Sequence, residues 1–153
     1  MKTMKQLCLI TFGFVLIGAP VFAEEAAEIV VPYLHIQTAL ANDSIDGVTD
    51  AARSIAAQAA KMTYHWPGNV AVDATQAIAT AAQTLVRATD IKTARAAFGP
   101  LSDALIQYAD EVGLGQLKVA YCPMVQKSWV QEDGAIRNPF YGSAMLSCGT
   151  FTR

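Results

Sequence analysis

The sequence predicts a mainly α fold: an up-down-up-down four-helix bundle with a small irregular C-terminal β-hairpin or loop segment packed on it. Three observations carry this expectation. Four stretches between residues 31 and 112 place apolar side chains three and four apart, the period of a buried helical face. Short connections separate them, and short connections favour antiparallel neighbours. Beyond Gly115 the period changes to alternation, and residues 116–153 carry Cys122, Met124, Met145 and Cys148.

The first 23 residues read as a segment apart. Lys2 and Lys5 precede an apolar run from Leu7, and "APVFA" ends on small residues, the layout of a secretory signal cleaved after Ala23. The run from Leu7 to Phe22 falls short of the roughly 18–20 residues of a spanning helix. No cysteine follows it in lipoprotein fashion. The expectation is therefore a signal over 1–23, one domain over 24–153, and a soluble protein that is periplasmic or secreted.

The first helix is expected to begin near Val31-Pro32, because proline suits an initial turn, with Tyr33, Ile36 or Gln37, and Leu40 inward. The second shows the clearest seam, Ile45, Val48, Ala52, Ile55, Ala59 and Met62, with Asn42, Asp43 and Ser44 as N-cap choices. "YHWPGN" stops it at Pro67-Gly68. The third covers about Val70 to Thr89, with Ala74, Ile78, Ala81, Leu85 and Ala88 inward. The fourth covers about Ile91 to Val112, with Ala94, Phe98, Leu101, Leu105, Tyr108 and Val112 inward. "FGP" should kink it or restart it at Pro100, since proline removes a backbone donor. In the tail, "LKVAYC" alternates as a strand. "SWVQ", "EDG" and "AIR" read as a hairpin with Gly134 in its turn, and "SAMLSCG" reads as one helical turn closed by Gly149.

Charge narrows the function. Once Lys2 and Lys5 leave with the signal, nine basic residues face thirteen acidic ones, a net charge of −4. No basic stripe exists, which argues against nucleic acid or an anionic membrane surface as partner. Catalysis lacks its signatures: there is no phosphate-binding glycine loop, no zinc-protease histidine pair and no Cys-x-x-Cys. The chain reads as a non-enzyme.

The tail sulfurs admit two readings. In an extended segment residues two apart share a side, and in a helical turn residues three apart share a face. Cys122 with Met124, and Met145 with Cys148, would then be two pairs able to converge as a four-sulfur site, whose soft donors suit Cu(I). Alternatively, Cys8 leaves with the signal and the two remaining cysteines form a disulfide, the first expectation in an oxidising compartment. That bridge would add roughly 3–4 kcal/mol by loop entropy, and no metal would be held. His35 reads as a partly buried, hydrogen-bonded residue of the first helix. His65 sits in an exposed-looking loop, from which it would reach a tail metal only if the loop folded over. Trp129 and Tyr141 are expected to cover the tail's packing face and Trp66 the loop, with Asn138-Pro139 a turn that sets up the approach to Met145.

"YCPM", the following Trp129, "IRNPFYG" and "M..CG", together with "YLHIQTALANDS" and "FGPLSDALI", resemble the bacterial family called domain of unknown function 3347. The likeness runs over nearly all of the chain after residue 23. It implies an envelope protein linked to copper or related heavy-metal handling, a module also fused to periplasmic adaptors of heavy-metal efflux pumps. On its motif positions the implied ligands are Cys122, Met124, Met145 and Cys148. The resulting expectation is a module that binds Cu(I) for buffering or hand-over to an efflux adaptor. The second expectation is a disulfide-stapled helical interaction domain of the cell envelope without metal.

Overall fold

In the computed structural model, which describes residues 21–65, 70–113 and 115–153, four helices precede a three-stranded sheet. Helix α1 spans Val21–Ala41, and so begins well before the expected Val31-Pro32. Pro32 lies inside it, because the buried stripe extends upstream of the proline: Ile29, Tyr33, Ile36 and Leu40 are spaced four, three and four apart and all face the core. Burial on both sides of Pro32 offsets the one hydrogen bond that its missing N–H removes. The expected signal lies outside the described residues except for Val21–Ala23, which form the start of α1.

Helix α2 spans Val48–His65 and buries Val48, Ala52, Ile55, Ala59 and Met62, the predicted seam. Ile45 departs from it. It precedes the helix and is 40% exposed. Asn42, Asp43 and Ser44 form the α1–α2 turn and do not cap α2. Asp43 takes a left-handed φ of 58°, and the Ser44 hydroxyl accepts from the Asp46 amide at 3.0 Å. Helix α3 spans Val70–Val86, ending three residues before the expected Thr89, and buries Ala74, Ile78, Ala81 and Leu85.

Helix α4 spans Ile91–Val112, the predicted range. A capping box starts it: the Thr93 amide donates to Asp90 Oδ1 at 2.9 Å, and the Asp90 amide donates to the Thr93 hydroxyl at 3.3 Å. The helix continues through Pro100 without the expected restart. The carbonyl left without a donor belongs to Ala96 on the exposed side of the helix, while Ala97, Phe98 and Leu101 stay buried. Val112 is 41% exposed and does not face the core. Gly113 ends the helix, its amide donating to the Ala109 carbonyl at 2.8 Å.

Consecutive helices pack closely on one another, whereas the α1 and α4 backbones lie farther apart and meet through the side chains of Tyr33, Phe98 and Ser102. The sheet occupies that seam. Its strands are β1 (Lys118–Cys122), β2 (Lys127–Gln131) and β3 (Thr150–Phe151), in the order β2-β1-β3, all antiparallel. The hairpin is therefore β1–β2, turning at 123–126, and the "EDG" stretch is not its turn. The reason lies in the buried side chain of Gln131. Its Oε1 accepts from Trp129 Nε1 at 2.9 Å and from the Arg137 amide at 3.1 Å, and its amide donates to the Ala135 carbonyl at 2.9 Å. The Ala135 carbonyl and the Arg137 amide, which a hairpin turning at "EDG" would have paired with β2, are satisfied by this one side chain.

Strand β2 faces α4 and α1 and closes the bundle. Tyr33 (α1) stacks on Phe98 (α4) at 5.1 Å between ring centroids. Phe98 meets Phe140 at 5.7 Å, and Phe140 meets the edge of Trp129 at 6.1 Å. The buried Tyr33 hydroxyl accepts from the Val130 amide at 3.0 Å and pairs with the Ser102 hydroxyl at 2.7 Å. One phenol thus joins α1, α4 and β2. Tyr33→Phe keeps the ring and leaves a buried amide and hydroxyl without their partner. It is expected to cost about 1–3 kcal/mol in urea unfolding, and an unchanged midpoint would contradict this role.

Candidate functional site

The sulfur-bearing tail is assembled by sheet register. Ala120 pairs with Phe151 and Tyr121 with Thr150, so extending the register by one places Cys122 opposite Gly149, the neighbour of Cys148. Gly149 has φ 146° and passes so close over Trp129 that a Cβ there would lie 2.7 Å from the indole. Glycine permits this approach, and the approach delivers Cys148 to Cys122. The two cysteines form a disulfide with their Cα atoms 5.6 Å apart. Cys122 is buried and Cys148 half-buried.

The methionines lie differently. Met145 ends the short 3₁₀ turn Gly142–Met145, and the Cys148 amide donates to its carbonyl at 3.0 Å, so the two share one turn as their spacing predicted. Met124 lies in the β1–β2 turn and is 73% exposed. The alternation that was to set Cys122 and Met124 on one side of a strand stops at Cys122, because Pro123 begins the turn. Chemically, the bridged tail does not fit a Cu(I) centre: both thiols are consumed in a sulfur–sulfur bond, leaving only thioethers, one of them in solvent. Among the described residues, no group of three or more His, Cys, Asp or Glu is placed to hold a metal ion.

The structure adds a polar latch that sequence reasoning missed. Asn138 is fully buried. Its amide donates to the Leu146 carbonyl at 2.7 Å, its side-chain nitrogen donates to the Cys148 carbonyl at 3.1 Å, and its Oδ1 accepts from Phe140 at 2.9 Å. Asn138-Pro139 is indeed a turn, and it is also pinned to the bridge segment. Arg95 of α4 donates to the carbonyls of Pro139 (2.9 Å) and Leu40 (2.8 Å) and to Asp43 Oδ1 (2.6 Å). The other Asp43 oxygen accepts from the Ser143 amide at 2.9 Å. Gln37 of α1 donates to the Arg137 carbonyl at 2.6 Å.

Hydrogen bonds from Ser143, and then the Arg95 guanidinium, hold the Asp43 carboxyl well below its ordinary value of 3.8. A depressed folded pKa adds stability that is present above the unfolded value and lost as pH falls towards the folded one. Wild type is therefore expected to exceed Asp43→Asn in urea midpoint at pH 7, with the gap closing progressively below about pH 4. A gap independent of pH would sink the assignment.

Other predicted residues lie apart from the bridge or outside the described side chains. The His35 ring is exposed, not partly buried, and Nε2 donates to the Asp46 carbonyl at 3.2 Å. With Gln37, Thr38, Glu132, Asp133 and Arg137 it borders a surface cavity of about 410 Å³ between α1 and the 131–137 loop. His65 ends α2 and its side chain lies outside the described residues, as does Trp66. Trp129 is buried, while Tyr141 is 47% exposed and covers little. No described helix is long and apolar enough to cross a membrane.

The model of the family described as protein of unknown function (DUF3347) matches residues 29–116, more than half of the chain. The match takes in most of α1, all of α2–α4, and stops where the tail begins. No curated protein and no solved structure matches.

Proposed function

We propose, for a chain that belongs to the DUF3347 family of proteins of unknown function, the role of an exported, disulfide-stapled interaction module of the cell envelope. The observation that carries this reading is the Cys122–Cys148 bridge, which ties the sheet that closes the bundle to itself. Structural disulfides belong to oxidising compartments, and the charge–apolar–small layout of residues 1–23 supplies the route there. The module acts by contact, not by chemistry. Its partner is another envelope protein, and the surface offered is the tail, where Met124 and Tyr141 stand exposed. Intact mass of protein taken from the periplasm without reductant tests this. The reading predicts a chain beginning at Glu24 and lighter by two hydrogens than the dithiol. Free thiols throughout, or a retained leader, would overturn it.

A second reading is favoured by the shared turn of Met145 and Cys148. In the reduced chain the two thiols would hold Cu(I), with the thioethers of Met124 and Met145 beside them, for buffering or for transfer to an efflux adaptor. Anaerobic competition for Cu(I) against a chelator separates the two. The second reading expects tight binding by the reduced chain, loss of that binding on Cys122→Ser, weakening on Met145→Leu, and no competition by the bridged chain. If the reduced chain does not compete either, the metal reading falls and the interaction module stands.

A further inference from the structure

We propose that the Cys122–Cys148 bridge is a reversible redox device, opened and closed by a dithiol–disulfide oxidoreductase while the tail stays folded on the bundle. The inference stands apart from the metal reading and supplies the condition under which that reading would operate. It rests on how the tail is held. The start of the enclosed segment is fixed by the Val130 amide on Tyr33 and its centre by the Arg137 and Pro139 carbonyls on Gln37 and Arg95. Close to Cys148, Asn138 grips the Leu146 and Cys148 carbonyls. Beyond it, the Val119 amide donates to the Arg153 carbonyl and the Thr152 amide to the Val119 carbonyl, at 2.9 and 2.8 Å. None of these bonds involves sulfur. A cross-link stabilises chiefly by restricting the unfolded chain, so breaking this one lowers stability without removing what positions the two cysteines.

The two cysteine residues also differ in exposure. Cys122 is buried at the end of β1, whereas Cys148 is half-buried beside exposed Ser147. Thiol–disulfide exchange proceeds by thiolate attack on one sulfur with departure of the other. Here the donor's first thiolate attacks Cys148 Sγ, the sulfur–sulfur bond breaks, and Cys122 leaves as a thiolate that takes up a proton. The donor's second thiolate then attacks its own sulfur in the mixed disulfide and releases Cys148. Two electrons pass to the chain and the donor is left as a disulfide. The reverse sequence, with an oxidised donor, closes the bridge again.

The test uses the whole exported chain in a Trp66→Phe background, which leaves Trp129 as the only tryptophan. The bridged protein is treated with dithiothreitol without denaturant and then with N-ethylmaleimide. The expected result is two adducts by intact mass with the near-ultraviolet dichroism of Trp129 retained, and return to the bridged mass when oxidant replaces alkylator. The Cys122→Ser/Cys148→Ser double variant is expected to keep the same spectrum at a lower melting temperature. Labelling that requires denaturant, or labelling that abolishes the Trp129 signal, would overturn the proposal. If the double variant does not fold, the reduced wild-type chain still decides. Neither outcome depends on copper, so failure here is distinct from failure of the metal titration.

Discussion

Trp129→Ala is expected to lower the stability of the protein by about 3–5 kcal/mol, the range for emptying a large buried aromatic site. Three features place it high in that range. The indole is fully buried, it meets Phe140 edge-on at 6.1 Å, and its Nε1 donates to Gln131 at 2.9 Å. The loss reaches beyond the cavity, because Gln131 also holds the Arg137 amide and the Ala135 carbonyl, the groups that shape the loop after β2. The site is poorly able to collapse: β1 forms one wall, and Gly149, fixed next to the bridge, forms another. Trp129→Phe retains a ring and is expected to lose less. Guanidinium unfolding measures both, and a Trp129→Ala midpoint equal to wild type would mean that the tail does not belong to the folding unit.

Gly142→Ala is expected to produce the second largest loss, by breaking the latch from within. Gly142 has φ 53°, where an L side chain costs about 1–2 kcal/mol on its own. A methyl group there would also run into Asp43 Oδ1 and Arg95 Nη2, the two atoms that pair across the α1–α2 turn and α4. The ion pair cannot yield freely, since Arg95 is also bonded to the Leu40 and Pro139 carbonyls. A double-mutant cycle separates the two effects. In an Asp43→Ala/Arg95→Ala background the glycine substitution should cost only its backbone part, and the difference from wild type reports the latch. Equal costs in the two backgrounds would show that Gly142 matters for its backbone alone.

Both predictions concern the joint between bundle and tail. The family match covers residues 29–116, the bundle, and leaves the sulfur-bearing segment outside it. The proposed partner surface, the bridge and the methionines all lie in that segment. Its chemistry rests on how the bundle holds it.

What the sequence could announce is set by distance along the chain. The seams of α2, α3 and α4 were legible, because a buried helical face repeats within a single turn and needs no knowledge of its neighbour. The change of period after Gly115 was legible for the same reason, and so was the pairing of Met145 with Cys148 on one turn. The start of α1 is not legible, because Pro32 is a local signal for a first turn, while the burial of Ile29 against the rest of the core is not local at all. The capping box of Asp90 and Thr93, by contrast, has a spacing readable from the sequence.

The hairpin register and the latch have no such signal, and the bridge is legible from the cysteine count only as one of two alternatives. Val130 reaches Tyr33 across 97 residues, Tyr33 reaches Ser102 across 69, and Arg95 reaches Asp43 across 52. The sequence by itself determined four amphipathic helices and a sulfur-bearing segment of another period. Only the tertiary structure decided that α1 and α4 meet through Tyr33, Phe98 and Ser102 with β2 packed against both, and which of the two sulfur readings the cysteines follow. Periodic burial is written residue by residue, whereas the partner of a polar or sulfur atom is chosen by whichever distant group folding brings within about 3 Å.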